Sequence, residues 1–367
     1  MEPIRIIISG GGTGGHIFPA LAIAGELKKR FPDVEILFVG ARGRMEMEKV
    51  PAAGYRIEGL PVIGFPRKPS LKMASFFYRL AQSMVMARKI VRSFKPHLAI
   101  GVGGYASGPI LRAALSFGIP ALIQEQNSFA GKTNKLLGRR VDTICVAYEG
   151  MDRFFPEEKI VMTGNPVREK LLTPGCSKQE ALNYFGLDGQ RKVILIIGGS
   201  LGARAINNAV LQNLESIRQA GFPVIWQTGS LYYREMVEKT KERLPENLHI
   251  YKFLDHMEMA YQAADVVISR AGAGTLSELC LVGKPAILVP SPNVAEDHQT
   301  RNALSLVNKE AALMIKDVEI GDKLFPELYS LLNNPSKLEI LSENIRKLAL
   351  PDATARIADE ACKLIGK

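Results

Sequence analysis

Short apolar runs bounded by glycine alternate with helical patterns along the whole chain. IRIIIS (4–9), EILFVG (35–40), LAIGVG (98–103), PALIQE (120–125) and TICVA (143–147) read as strands. A second series repeats the plan: VILIIGG (193–199), PVIWQTG (223–229), LHIYKF (248–253), VVISRA (266–271) and PAILVP (285–290). Uninterrupted apolar strands separated by helices predict parallel sheets covered on both faces. Each series opens on a strand that runs into glycines, IIISGGGTGGH and ILIIGGSLGAR. Each later carries a strand, a Gly-rich loop, a helix and a G-x-P-A strand, in LAIGVGGYASGP…GIPALI and VVISRAGAGTLSEL…GKPAIL. The prediction is an α/β protein of two doubly wound, Rossmann-like domains, 1–165 and 166–350. The Gly-, Pro- and polar-rich stretch 163–182 is the passage between them, and the helical tail 351–367 is expected to rejoin the first domain. A length of 367 residues suits two cores better than one.

Composition narrows the class. Apolar residues make up 47% and charged residues 23%, the balance of a soluble globular chain. No uninterrupted apolar run is long enough to span a bilayer. The opening MEPIRIIISG enters a strand directly and lacks the regions of a signal peptide. The four cysteines form no CxxC pair, which points to reduced thiols in a cytoplasmic setting.

Charge adds a partner. No acidic residue lies between Glu58 and Glu125, and that gap carries nine of the basic residues in a chain of net charge +10. Within it, RKPSLKMASFFYRLAQSMVMARKIVRSFKP (67–96) predicts a helix. Its apolar stripe runs through Met73, Phe77, Leu80, Met84, Ala87 and Val91, with Phe76, Tyr78, Val85, Met86 and Ile90 beyond it. One stripe is expected to pack inward and the remainder to meet an anionic membrane surface peripherally, through Lys68, Lys72, Phe76, Phe77, Arg79 and Leu80. Nucleic acid is not expected as a partner, because aromatic residues are not interleaved through a basic groove.

The glycine loops carry the candidate chemistry. A strand ending in glycines before a helix presents backbone N–H groups at a positive dipole end, which suits phosphate. Gly10-x-Gly12-x-x-Gly15 fits the dinucleotide fingerprint formally. The strand EILFVGARGR, however, ends in Gly40, Ala41 and Arg42 rather than the acidic residue a ribose of NAD needs. No GK[ST] follows any glycine loop, which removes a P-loop. His16 stands at the start of the following helix, where the dipole disfavours imidazolium. A neutral ring there could take a proton from an attacking hydroxyl or orient a sugar. Pro19 is read as a residue of the first helical turn.

GGTGGHIFPA, GVGGYASGP, QEQN, GNPVR, GGSLGARAIN, RAGAGTLSEL and HQTRNA, in this order over residues 10 to 303, together resemble the MurG family, GT-B glycosyltransferases of family 28. The resemblance implies two Rossmann-like domains facing a cleft and an inverting transfer of GlcNAc. The donor would be UDP-GlcNAc. The acceptor would be the muramyl 4-hydroxyl of undecaprenyl-pyrophosphoryl-MurNAc-pentapeptide (lipid I), giving lipid II for peptidoglycan at the cytoplasmic face of the plasma membrane. Other cell-wall synthesis enzymes stay open as partners.

By the same resemblance, His16 is the catalytic candidate, and Thr13, Gly14, Gly15 and Asn127 meet the donor. Arg168 and Ser200 would meet the diphosphate, Leu254 would offer backbone groups to uracil, and Gln299 would meet the sugar hydroxyls. The loop and helix start Ala273, Gly274, Thr275, Leu276 and Ser277 belong to the donor site, with Glu278 on the ribose hydroxyls. Two competing structural readings stand beside these: Thr275-x-x-Glu278 is a capping-box pattern, and Ser200 suits an N-cap. Asn127 follows a strand end and is read as a switch-point residue. Gly103, Gly104, Tyr105 and Ser107 are expected to receive the acceptor's pyrophosphate. No D-x-D pattern or metal triad is present in the sequence, so no tightly bound cofactor is expected, while Mg²⁺ travelling loosely with the diphosphate stays open. A UDP-GlcNAc 2-epimerase and a non-catalytic nucleotide-sugar-binding subunit are the competing functions. An epimerase would need neither the basic apolar helix nor GVGGYASGP, and a subunit that only recruits a partner to the membrane would have no use for His16 and the donor motifs.

Overall fold

The inner strands of a parallel sheet need only β-branched and aliphatic residues, because helices cover both faces. In the computed structural model, which describes residues 3–64, 72–172 and 175–366, the apolar runs form two such sheets. The chain divides into two compact units, 1–167 with 350–367, and 168–349. Pro166, Val167 and Leu350, expected in the second domain, therefore belong to the first. The reason is local: a side chain on Gly164 would lie 2.7 Å from Cβ of Leu350, so these two segments pack directly.

The first unit holds seven parallel strands. They are β1 (Arg5–Ser9), β2 (Glu35–Ala41), β3 (Arg56–Leu60), β4 (Leu98–Gly101), β5 (Ala121–Glu125), β6 (Thr143–Val146) and β7 (Ile160–Met162). Their order is β3-β2-β1-β4-β5-β6-β7, so the chain reverses direction across the sheet between β1 and β4. The edge strands β3 and β7 were not expected from the pattern. Their residues are mostly half-buried or exposed, so RIEGL and IVM lack the apolar continuity of a covered strand.

Five helices of this unit precede the crossing: α1 (Gly14–Arg30), α2 (Glu46–Ala52), α3 (Lys72–Phe94), α4 (Ser107–Ser116) and α5 (Lys132–Gly138). In α1, Ile17, Ala20, Ile23, Ala24 and Leu27 recur at helical spacing and are buried in the core with Ile6 and Ile8 of β1. Pro19 lies inside α1 rather than in its first turn, where it removes the bond that the Gly15 carbonyl would accept.

The face of α3 also differs from the expectation. Ala87, Ile90 and Val91 are core, whereas Phe77, assigned to the inward stripe, is 57% exposed beside Tyr78 and Val85, each 71% exposed. Phe76 and Leu80 are half-buried and Arg79 is exposed. Lys68 and the side chain of Lys72 lie outside the described residues.

The second unit holds six parallel strands: β8 (Ile194–Ile197), β9 (Val224–Gln227), β10 (Leu248–Tyr251), β11 (Val266–Ser269), β12 (Ala286–Leu288) and β13 (Leu313–Met314). Their order is β10-β9-β8-β11-β12-β13, with the reversal between β8 and β11. The stretch read as a passage contains two helices, α6 (Glu169–Leu172) and α7 (Lys178–Tyr184). Ser177 caps α7 in a full capping box with Glu180. The remaining helices are α8 (Arg204–Gln212), α9 (Leu214–Ala220), α10 (Tyr233–Thr240), α11 (Met257–Ala263) and α12 (Ala273–Val282). Then come α13 (His298–Val307), α14 (Ile320–Leu332) and α15 (Pro335–Lys347). Trp226 anchors the core; its indole N–H donates to Asn207 Oδ1 at 3.1 Å, and Asn207 donates onward to the Thr228 carbonyl.

The last helix, α16 (Ala353–Ile365), returns to the first unit. Ile357, Ala358 and Ala361 enter the same core as Ile17 and Ile23. Arg30 at the end of α1 donates to the Ala355 carbonyl at 3.0 Å and pairs with Asp359.

Candidate functional site

Ligands of doubly wound sheets sit beyond the strand C-termini where strand order reverses. In the first unit that point lies between β1 and β4, and two glycine loops meet there. Asn127, which follows β5, is one strand away from the reversal, so the switch-point reading of it is corrected. A Cβ on Gly10 would stand 2.1 Å from Val102, and one on Gly104 would stand 2.5 Å from the Gly11 carbonyl. Gly104 also has φ +86°, a left-handed backbone that glycine adopts without strain. Several of these glycines are thus required by loop-on-loop packing.

An internal anion sits against the first loop. Glu46, buried at the start of α2, accepts from the N–H of Gly12 and the N–H of Ala41, both at 2.9 Å. A Cβ on Gly11 would meet this carboxylate at 2.2 Å. The N–H of Gly12 is held by Glu46 and is therefore not among the groups this loop presents to phosphate. Glu46→Gln keeps the shape but turns an amide toward one of the two donors. Its cost is expected to be about 1–3 kcal/mol, read as a lower urea midpoint, with Glu46→Ala costing more.

His16 is the third residue of α1, just after Thr13, Gly14 and Gly15. Its Nδ1 lies 3.1 Å from the Gly11 carbonyl and 3.2 Å from Thr13 Oγ1. A carbonyl only accepts, so it assigns the proton to Nδ1 and leaves Nε2 as the basic nitrogen. Nε2 faces the second loop, 2.8 Å from where a Gly103 Cβ would be. In that loop Tyr105 is exposed, and buried Ser107 donates to the Gly104 carbonyl at 3.0 Å.

The QEQN segment is built by side chains tying down its own turn. Buried Glu125 accepts from the N–H of Asn127 at 3.1 Å, from Gly131 N–H at 2.9 Å and from Asn134 at 2.8 Å. Gln126 donates to the Val102 carbonyl at 2.8 Å, which joins this turn to the loop after β4.

In the second unit a cavity of about 600 Å³ opens at the reversal between β8 and β11. Its lining includes Gly198, Gly199, Gly202, Gly272, Thr275, Ser291 and Gln299. Gln299 is oriented by the Ser291 N–H, which donates to its Oε1 at 2.9 Å. Of the predicted donor residues, the cavity brings together Thr275 and Gln299. It adds Arg204, Tyr232, Ser269 and Arg270, which sequence reasoning did not single out. Arg270 donates to the Val289 carbonyl at 3.1 Å and pairs with Asp317, while Arg204 lies over the Tyr232 ring.

Ser200 is exposed beside the cavity, and its carbonyl accepts from the N–H of Ser230. It does not cap α8, whose N-cap is Ala203. Ala273 and Gly274 open α12, Leu276 is buried, and Ser277 donates back to the Ala273 carbonyl. Leu254 is buried, with its N–H donating to Gln227 Oε1 at 3.1 Å.

The capping-box reading of Thr275 and Glu278 fails, because α12 begins after Gly272 and no side-chain cap forms. Glu278 turns instead to Arg168, whose Nε lies 3.3 Å from its Oε1, and to Tyr261, which donates to its Oε2 at 3.1 Å. Burial holds the Glu278 carboxyl above its ordinary range, and Arg168 and Tyr261 offset only part of that rise. Among the described residues, no three His, Cys, Asp or Glu side chains are grouped as a metal site.

Two Rossmann-like units, each with ligand-type loops at its switch point, define the GT-B class of glycosyltransferases. The Glycosyltransferase family 28 N-terminal domain matches residues 6–146, and the family 28 C-terminal domain matches residues 193–357. The chain belongs to glycosyltransferase family 28. Over its whole length it is 57% identical to a protein of Phocaeicola vulgatus, of which it covers 98%. That relative is named UDP-N-acetylglucosamine–N-acetylmuramyl-(pentapeptide) pyrophosphoryl-undecaprenol N-acetylglucosamine transferase. The crystal structure of Acinetobacter baumannii MurG matches with a TM-score of 0.79 at 29% identity, over 98% of this chain and all of that one. A UDP-N-acetylglucosamine 2-epimerase shares the fold alone, with a TM-score of 0.65 at 13% identity over all of this chain and 97% of its own.

Proposed function

We propose that this chain moves GlcNAc from UDP-GlcNAc to the muramyl 4-hydroxyl of undecaprenyl-pyrophosphoryl-MurNAc-pentapeptide, making the β-1,4 bond of lipid II. The observation that carries this reading is full-length identity of 57% to a transferase of that name. The acceptor oxygen attacks the anomeric carbon from the face opposite UDP. The C1–O bond to the diphosphate breaks, and the hydroxyl proton passes to His16 Nε2. The first unit supplies this base and, through the loop of Gly103, Gly104, Tyr105 and Ser107, the seat of the acceptor's pyrophosphate. The second unit holds the donor. Glu278 accepts from the ribose hydroxyls, Leu254 offers backbone to uracil, Ser200 and Arg168 meet the diphosphate, and Thr275 and Gln299 meet the sugar. Fixed donors of this kind stabilise a departing diphosphate electrostatically.

The test mixes purified protein, UDP-GlcNAc and a short-chain lipid I analogue. UDP release that requires the acceptor supports transfer. UDP-ManNAc formed without acceptor would mark an epimerase, and donor binding without turnover a recruiting subunit.

The polyprenyl acceptor demands attachment to the cytoplasmic face of the membrane. Among the described residues, no helix is long and apolar enough to cross a bilayer. Peripheral docking through α3 is supported by exposed Phe77, Tyr78 and Val85 with exposed Arg79, Arg88, Lys89 and Arg92 on the same helix. Each basic residue near an anionic surface contributes roughly 1 kcal/mol, so Arg79→Ala with Arg88→Ala is expected to weaken vesicle binding about thirty-fold. Co-sedimentation with anionic vesicles reads this out, and binding indifferent to both the substitutions and salt would reject the electrostatic part.

A further inference from the structure

Tyr261 lies fully buried on α11, and a phenol placed so deep must have a hydrogen-bond partner or lose stability. Its partner is the carboxylate of Glu278, at 3.1 Å. Phenylalanine would fill the same ring space without that requirement, so the hydroxyl calls for a reason. Burial holds the phenol far above its usual range of ionisation, which keeps it a donor at any working pH. The Arg168 guanidinium stands on the other carboxylate oxygen, so the two oxygens of Glu278 are gripped from different sides. An ionised carboxylate has about four acceptor positions; Tyr261 takes one, and the Arg168 ion pair offsets charge without closing the rest, so positions stay open for the two vicinal hydroxyls of a ribose.

We infer that Tyr261 is a positioning residue for donor binding, fixing the Glu278 carboxylate in the rotamer that accepts from the 2′ and 3′ hydroxyls. This rests on the ribose role proposed above for Glu278. Tyr261 itself touches no substrate; it acts through the carboxylate.

The experiment compares wild-type, Tyr261→Phe, Glu278→Gln and the double variant, using UDP-GlcNAc and 2′-deoxy-UDP-GlcNAc as donors. For Tyr261→Phe, KM for UDP-GlcNAc is expected to rise about ten-fold while kcat stays within about two-fold, the pattern of lost uniform binding. The penalty that wild-type enzyme shows for the 2′-deoxy donor should shrink in parallel. The double variant should match Glu278→Gln alone; an additive rise in KM would overturn the proposal, and this comparison serves even if the single Phe variant folds poorly. A Tyr261→Phe enzyme that melts earlier yet keeps wild-type KM and the full 2′-deoxy penalty makes the contact purely structural and also overturns it. Should Glu278→Gln leave KM and the 2′-deoxy penalty unchanged, the ribose reading falls first, and this proposal falls with it.

Discussion

His16→Ala is expected to lower kcat by about 10²–10⁴-fold, the usual contribution of a positioned general base. Donor affinity should hold within a few-fold, because Glu278, Gln299 and the cavity that carries Thr275 all belong to the second unit. The prediction follows from the placement of the ring. Nδ1 is anchored at 3.1 Å by the Gly11 carbonyl, so the tautomer is set and Nε2 is the nitrogen able to take a proton. The measurement is steady-state UDP release with a lipid I analogue, alongside calorimetric titration of UDP-GlcNAc. Turnover within a few-fold of wild type would exclude proton transfer at His16. A matching fall in donor affinity would instead make His16 an orienter of the sugar.

Gly104→Val should be nearly as damaging, for a different reason. The new Cβ would stand 2.5 Å from the Gly11 carbonyl, and β-branched residues strongly resist φ +86°. Neither backbone can yield alone: Gly11 is backed by the Glu46 carboxylate, and Ser107 is bonded to the Gly104 carbonyl. The loops must part, and a shift of about 1 Å at a reacting group costs on the order of a hundred-fold in rate. Gly118→Ala provides the contrast. Its φ is +71°, yet nothing lies within 4 Å of the new Cβ. Strain alone should cost that variant about 1 kcal/mol, with activity retained. Parallel melting curves and rates for the two variants test the claim; equal behaviour would mean that the loops do not interlock.

The inner strands were legible because burial on both faces forces continuous apolar runs, so β1, β2, β4 to β6, β8, β9, β11 and β12 could be read within a few residues, and the edge strand β10 was read from LHIYKF although it is mostly half-buried. β3, β7 and β13 escaped because each edge or near-edge strand leaves part of its surface open and carries a mixed pattern. Site loops were legible as glycine clusters, but their reasons were not. Gly11 is small because Glu46 approaches it, and these partners are 35 residues apart with no spacing rule to link them. Glu278 was open to misreading for the same cause. Its local neighbour Thr275 offers a capping pattern, while its actual partners, Arg168 and Tyr261, come from other helices and loops. Arg270 and Asp317, paired at the cavity wall, are likewise joined only by the fold.

Glu46 also bears on how the enzyme meets its surroundings. A dissolved counter-ion at the head of α1 would exchange with buffer, rising and falling with phosphate or salt. A carboxylate delivered by the chain itself cannot be washed out, and its effective concentration is set by the fold rather than by the solution. The segment that carries His16 is therefore braced before any substrate arrives, and inorganic phosphate has no claim on the Gly12 amide.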